Sequence, residues 1–264
     1  MIKIATWNIN SVRLRQGLVC EFLAKHQPDI LCLQETKVED RLFPQAQFES
    51  IGYRHFHFRG QKSYNGVAFI ANQPLTPVAH HDWCGLDDTR HLVVQTSNQV
   101  EIHNFYIPAG GDIPDVEKNP KFAHKLKFVD EFADWFITNR KKTNPIIALG
   151  DFNIAPSPQD VWSHKQLLDV VSHTPIEVEK LKRALESFEW HDLVRRYFGE
   201  DQRLYSWWSY RARDWQKSNR GRRLDHIWGS NIMAEKLTNI EILKQYRGAE
   251  RPSDHVPVMA SFNL

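Results

Sequence analysis

The feature that most restricts this chain is a repeated junction, in which a short apolar run of strand length stops at an amide, a carboxylate or a histidine. Ile146-Ile147-Ala148-Leu149 halts at Gly150, and Asp151 and Asn153 follow directly. Lys3–Trp7 runs into Asn8 and Asn10, and Ile30–Leu33 runs into Glu35. Val100–Ile107 carries Tyr106 at its end, Leu224–Gly229 carries Asp225 at its start, and Val256–Phe262 follows Asp254 and His255. Apolar runs this short, bounded by turn residues, read as buried strands. Two more are predicted at Leu92–Gln95 and at Val67–Ala71, the latter behind a Tyr64-Asn65-Gly66 turn. Between the strands the period changes. Leu14, Leu18, Val19, Phe22 and Leu23 recur at helical spacing before Pro28. Phe122, Leu126, Val129, Phe132, Ala133 and Phe136 mark the clearest amphipathic helix, and Val178, Leu181, Leu185 and Phe188 mark another. Strands and helices alternate without a linker, a charge block or a low-complexity stretch, which predicts one α/β domain over residues 1–264.

Charge does not announce a partner. The chain has 34 basic and 32 acidic side chains, so any electropositive surface must come from local arrangement. Cys20, Cys32 and Cys84 cannot all pair and lack metal-ligand spacing, so they read as free thiols in a reducing compartment. Met1–Ile4 already reads as strand instead of a signal peptide, and no apolar run approaches membrane-spanning length. Cytoplasmic residence, no membrane association and a monomeric state are the expectations.

In α/β sheets the crevice at the strand ends is the usual place for a site. Here that crevice would collect Asn8, Asn10, Glu35, Tyr106, Asp151, Asn153, Asp225, Asp254 and His255. Oxygen donors without paired cysteines or clustered histidines suit a hard cation, Mg²⁺ or in its place Mn²⁺, and disfavour zinc.

These residues also carry a resemblance. Trp7-Asn8-Ile9-Asn10, Leu33-Gln34-Glu35-Thr36-Lys37, Tyr106-Ile107-Pro108, Gly150-Asp151-Phe152-Asn153, Arg223-Leu224-Asp225 and Ser253-Asp254-His255 occur in that order along the chain. With them the sequence resembles the exonuclease III/abasic endonuclease family from its first strand to its last. The resemblance implies a four-layer sandwich, two mixed β-sheets face to face with helices outside. It also implies Mg²⁺-dependent hydrolysis of DNA phosphodiesters, in 3′–5′ trimming and in cleavage at abasic sites of double-stranded DNA.

Physical roles can be set beside it. Glu35, a carboxylate leaving a buried strand, is the best single metal ligand, with Asn8 and Asp254 as further ligands. Asp151 would orient and deprotonate the attacking water, and Asn153 would donate to the phosphate oxygen where charge builds. Alternatively, Asp151 and Asn153 share a second cation. Asp225 would hold His255 in one tautomer and favour an imidazolium that binds phosphate, the competing reading being a core histidine bonded to backbone. Tyr106 would donate to the phosphate, act as a phenolate, or simply pack on the sheet. The products would be a 3′-hydroxyl and a 5′-phosphate.

For DNA contacts the candidates are Asn10 and the basic residues Lys37, Arg90, Arg211, Arg213, Lys217, Arg220, Arg222 and Arg223, for each of the basic ones solvated charge being the competing reading. Trp207, Trp208 and Leu224 would form an apolar slot, one of the two tryptophans being core instead. Asn219 matches a family position near the phosphate. The chain departs from the family at Ala109, where many members carry Asn, and at Arg222, where some carry Trp or Leu. His164, in the loop after the catalytic strand, adds an imidazole. His164 and the Ala109–Asp112 loop are expected to shape the lesion pocket. A phosphoinositide phosphodiesterase of the same fold and a DNA-binding module without catalysis are the competing readings.

Overall fold

The computed structural model describes every residue except Arg213, so that one basic candidate lies outside the described residues. Among the described residues fourteen strands form. In chain order they are β1 (Ile2–Asn8), β2 (Ile30–Gln34), β3 (His55–Arg59), β4 (Val67–Ala71), β5 (Thr76–Val78), β6 (His91–Gln95) and β7 (Glu101–Tyr106). They continue with β8 (Ile146–Asp151), β9 (His191–Asp192), β10 (Trp207–Trp208), β11 (Gly221–Arg222), β12 (Asp225–Gly229), β13 (Leu237–Ile242) and β14 (Val258–Phe262). One six-stranded sheet has the order β13-β14-β1-β2-β4-β3 and the other β5-β6-β7-β8-β12-β9; β10 and β11 make a separate ribbon. Each large sheet is mixed, because β1/β2 and β7/β8 are its parallel pairs and its other pairings are antiparallel.

The apolar runs are continuous because both faces of each sheet are covered. Ile4, Ile30, Cys32 and Phe69 of the first sheet pack against Val94, Ile102, Ile147, Leu149 and Ile227 of the second. The alternate residues face outward. Ala5, Trp7, Leu31 and Leu33 meet Val19, Phe22 and Leu23 of the helix Gln16–His26. Phe105, Ile146, Ala148 and Trp228 meet Phe128, Phe132 and Phe136 of the helix Pro120–Asn139, and Leu181 and Ala184 of the helix Pro175–Ser187. The result is the four-layer sandwich that the resemblance implies.

Two features carry this frame to the site. Gln34 Nε2 donates to Asn104 Oδ1 across the sheet interface at 2.7 Å, and Asn104 Nδ2 donates back to the carbonyl of Leu33. This buried amide pair locks the register of the sheets one residue beneath Glu35. Gly150 has φ 134°, and a Cβ there would lie 1.9 Å from the Phe105 carbonyl oxygen. Glycine is therefore the residue that lets β8 press against β7 just before Asp151.

Candidate active site

Register sets the site. Tyr106 pairs with Asp151 across the parallel β7/β8 ladder, and Asp151 pairs with Asp225 across β8/β12, so three functional side chains stand in a row at one end of the second sheet. Asn8 pairs with Gln34 at the same end of the first sheet. Glu35, one residue beyond, adopts φ 50°, and Asn10, Lys37 and Asn153 also lie in the left-handed region. Such backbone costs energy for a side chain other than glycine and tends to persist at functional sites. Here it turns Glu35 off its strand.

The two sheets meet through hydrogen bonds. Asn8 Nδ2 donates to Glu35 Oε1 at 3.0 Å and to Asp151 Oδ2 at 2.8 Å, bridging a carboxylate from each sheet. The Tyr106 hydroxyl donates to Glu35 Oε1 at 2.7 Å, and Lys37 Nζ lies 2.7 Å from Glu35 Oε2. Lys37 also donates to Asn10 Oδ1, whose amide nitrogen donates to Asp254 Oδ1; Trp207 Nε1 donates to the other Asp254 oxygen. Asn153 gives its backbone N–H to Asp151 Oδ1 and its side-chain amide to Asp151 Oδ2 and to the Ile107 carbonyl. His255 Nδ1 lies 2.8 Å from Asp225 Oδ2, and its Nε2 lies 3.6 Å from Asp151 Oδ2.

Electrostatics separates Asp151 from Glu35 and Asp254. Burial opposes charge on Glu35, but the Lys37 ammonium and the hydrogen bonds from Asn8, Lys37 and Tyr106 outweigh it and hold its pKa below the usual range. Asp254 is likewise held low, because His255 and the Trp207 and Asn10 donors overcome burial. Asp151 goes the other way. Burial, with the charges of Asp225 and Glu35 added, lifts it to about 7 despite His255 and Asn8. Burial alone would depress His255, yet Asp225 and then Asp151 push it up to about 10. Burial and the negative charges of Glu35 and Asp151 raise Tyr106 well above a normal phenol, so it is a donor and the phenolate alternative falls.

Asp151, Asp225 and His255 lie close enough together to hold an ion geometrically. Their chemistry argues otherwise, since a charged imidazole committed to Asp225 offers no lone pair. The expected Asp225–His255 pair is present, and the core-histidine reading of His255 falls. Asn8 presents its NH₂ group to both carboxylates, while its oxygen accepts from the Asn10 backbone N–H. In this structure it is a bridge between carboxylates, and its oxygen does not face Glu35.

Beside the acids opens a cleft of about 680 Å³, walled by Ala109, Gly111, Asp112, Trp162, Val171, Trp207, Arg222 and Leu224 among others, and bordered by Glu35, Asn153, Asp254 and His255. Arg211 and Arg220 also face it. Arg90 stacks on the Tyr106 ring at 4.8 Å, bringing a charge behind that side of the site. Three of the expected DNA contacts are corrected. Trp208 is core, 1% exposed, and donates Nε1 to Asn219 Oδ1. Asn219 is itself exposed and gives only its side-chain oxygen to that bond. Arg223 is also 1% exposed, enclosed by Asp160 and Asp192, so its charge is spent inside the protein. His164 is exposed but turns its Nδ1 to His173 Nε2 at 2.8 Å, and it does not line the cleft. The loop expectation survives for Ala109–Asp112 only.

Sequence reasoning passed over Trp162, whose ring faces the cleft beneath the Arg220 guanidinium at 4.7 Å. It also passed over Lys125, whose Nζ donates to the Asn153 carbonyl from inside the protein. An aromatic in a polar loop was a usable signal for the first. Nothing in a helix repeat distinguishes the second.

A two-sheet sandwich with its acids gathered at one end defines a class, and sequence comparison agrees with it. The chain belongs to the endonuclease/exonuclease/phosphatase family, whose profile matches residues 5–255. It is 31% identical to exodeoxyribonuclease III of Haemophilus influenzae over 99% of this chain and 100% of that protein. Among solved structures it is similar to an AP endonuclease from Archaeoglobus fulgidus, with TM-score 0.93, 32% identity and both chains covered completely. A 3′ phosphatase from Neisseria, bound to a product DNA hairpin, matches over both full lengths with TM-score 0.89 and 31% identity. The family resemblance and the fold expected from the six motifs are both borne out.

Proposed function

We propose that this chain is a Mg²⁺-dependent DNA repair nuclease, in which Mn²⁺ can replace Mg²⁺. It trims 3′ ends of duplex DNA and cleaves at abasic sites, leaving a 3′-hydroxyl and a 5′-phosphate. The observation that supports this best is the Asn8 bridge, which joins Glu35 of one sheet to Asp151 of the other at the mouth of a cleft.

The donor set fits a divalent cation. Glu35, Asp151, Asp225 and Asp254, when ionised, face Lys37 and His255, and four negative charges against two positive leave an excess of about two. Glu35 would hold the ion together with Asp254, and with Asn8 if its amide turned over. When bound, it would stabilise charge on the phosphate and on the departing 3′-oxygen. The protein's own residues supply the rest. Asp151, with a pKa near the working pH, accepts a proton from the attacking water, and Asn153 fixes the direction of its carboxylate. His255, kept charged by Asp225, presents Nε2–H to a phosphate oxygen. Tyr106 keeps Glu35 oriented.

In this reading the enzyme is a cytoplasmic monomer. The three free cysteines are consistent with a reducing compartment. The test is incubation with an abasic-site duplex, a recessed 3′-end duplex and a phosphoinositide, each with Mg²⁺ and with EDTA. Cleavage of both DNAs with Mg²⁺ alone is expected. Turnover confined to the lipid would overturn the reading.

A further inference from the structure

Arg15 is 8% exposed, yet all of its guanidinium hydrogen bonds among the described residues end on neutral oxygens. Nη1 donates to the carbonyls of Ile9 and Asn10, Nε to the Arg251 carbonyl at 3.0 Å, and Nη2 to the Tyr210 hydroxyl at 2.9 Å. That hydroxyl in turn donates to the Pro252 carbonyl at 2.8 Å. One side chain thus joins the turn after β1, the segment before Asp254 and the loop after β10. Asn10, Ser11 and Arg251 have φ of 46°, 88° and 48°, left-handed values that a residue other than glycine keeps only where its surroundings hold it. Arg15 grips the carbonyls of two of these three.

These turns carry side chains of the ion site. Asn10 Nδ2 donates to Asp254 Oδ1 at 3.1 Å, and Asn10 Oδ1 accepts from Lys37, the ammonium beside Glu35. The Tyr210 ring lies against the Arg247 guanidinium at 5.1 Å, which fixes where its hydroxyl can reach. Arg211, the next residue, faces the cleft. A planar fork spread over several carbonyls fixes directions that a point charge would leave free. Groups behind a metal ligand orient it and set its affinity. We propose that Arg15, acting through Tyr210 and the Asn10 and Arg251 carbonyls, is a positioning residue that holds Asp254 in place for the divalent cation. This rests on the nuclease reading above. Arg15 makes no hydrogen bond to Glu35 or Asp254, so its loss would loosen a ligand without removing one. Charge alone predicts the opposite sign, since deleting a positive charge near a cation site should tighten the ion.

The probe is Mn²⁺ alone, titrated into the purified protein and followed by the EPR signal of the free ion. Wild type, Arg15→Met, Tyr210→Phe and Glu35→Gln are compared, the last marking the site. Arg15→Met is expected to weaken Mn²⁺ binding about 10- to 100-fold, as loss of a group that orients a ligand does. Tyr210→Phe keeps the ring and the net charge, and is expected to weaken it about 2- to 10-fold for one lost hydrogen bond. Cleavage of a recessed 3′-end duplex should then need more Mn²⁺ in both variants, with kcat at saturating Mn²⁺ close to wild type. Unchanged or tighter binding in Arg15→Met, or in Tyr210→Phe should the first variant not fold, would overturn the proposal while the nuclease reading stands. A wild type that neither binds Mn²⁺ nor cleaves DNA would overturn both.

Discussion

Replacing Lys125 with Met removes a charge that no solvent reaches. Lys125 and Glu177 are each 0% exposed, and the ammonium also donates to the Asn153 carbonyl at 2.8 Å and to the Ala109 carbonyl at 3.2 Å. Glu177 keeps the Ser172 and Thr174 backbone donors and the Thr174 hydroxyl, so its oxygens stay hydrogen-bonded, but its charge loses its counter-ion. Breaking a buried pair in this way costs about 3–5 kcal/mol. At roughly 2–4 °C per kcal/mol for a domain of this size, Tm should fall by about 6–20 °C. Because the same ammonium pins the Asn153 carbonyl, kcat should drop about 10- to 100-fold at a temperature where the variant is fully folded. Urea unfolding and steady-state cleavage of an abasic-site duplex measure the two effects. The paired variant Lys125→Met with Glu177→Gln should recover more than half of the lost stability, since no buried charge then stands alone. If Lys125→Met unfolds within about 0.5 kcal/mol of wild type, a change typical of surface positions, or if the second substitution recovers nothing, the electrostatic reasoning is wrong.

Other expectations follow from the same geometry. The pH profile of kcat/KM should rise through about 7 as Asp151 ionises and fall toward about 10 as His255 loses its proton; Asp225→Asn, by removing the charge that raises His255, should move the alkaline limb to lower pH. Gly150→Ala should fail to fold or lose most of its stability in thermal melts, because its Cβ meets the Phe105 carbonyl. Arg223→Met should lower stability by about 3–5 kcal/mol, because Asp192 loses its guanidinium while Asp160 keeps Arg195 alone, yet leave the salt dependence of DNA binding unaltered; a shallower salt slope would return Arg223 to the DNA surface.

Much of this was legible because period and punctuation agree. The runs at Ile30–Leu33 and Ile146–Leu149 are buried on both faces, so they are unbroken in sequence, and the polar residue that ends each one is a site residue. The strands His55–Arg59 and Leu237–Ile242 escaped notice, since edge strands are only partly covered and their His, Arg, Thr and Glu residues blur the apolar signal. Side-chain fate was harder to read than strand position. Arg222 and Arg223 are neighbours on or beside one short strand, and alternation sends one into the cleft and the other into the protein. Trp207 and Trp208 divide the same way. For Arg223 the deciding fact is Asp160, 63 residues away in sequence, and for His164 it is His173 in a turn with no strand signal.

The central claim is that strand ends from both sheets surround one divalent cation at Glu35. Anomalous diffraction at the manganese edge, from crystals soaked in Mn²⁺ and from the Glu35→Gln variant treated identically, tests it most directly. The account predicts a peak bonded to Glu35 at the cleft mouth that the variant loses. A peak between Asp225 and His255, undiminished in the variant, would contradict it.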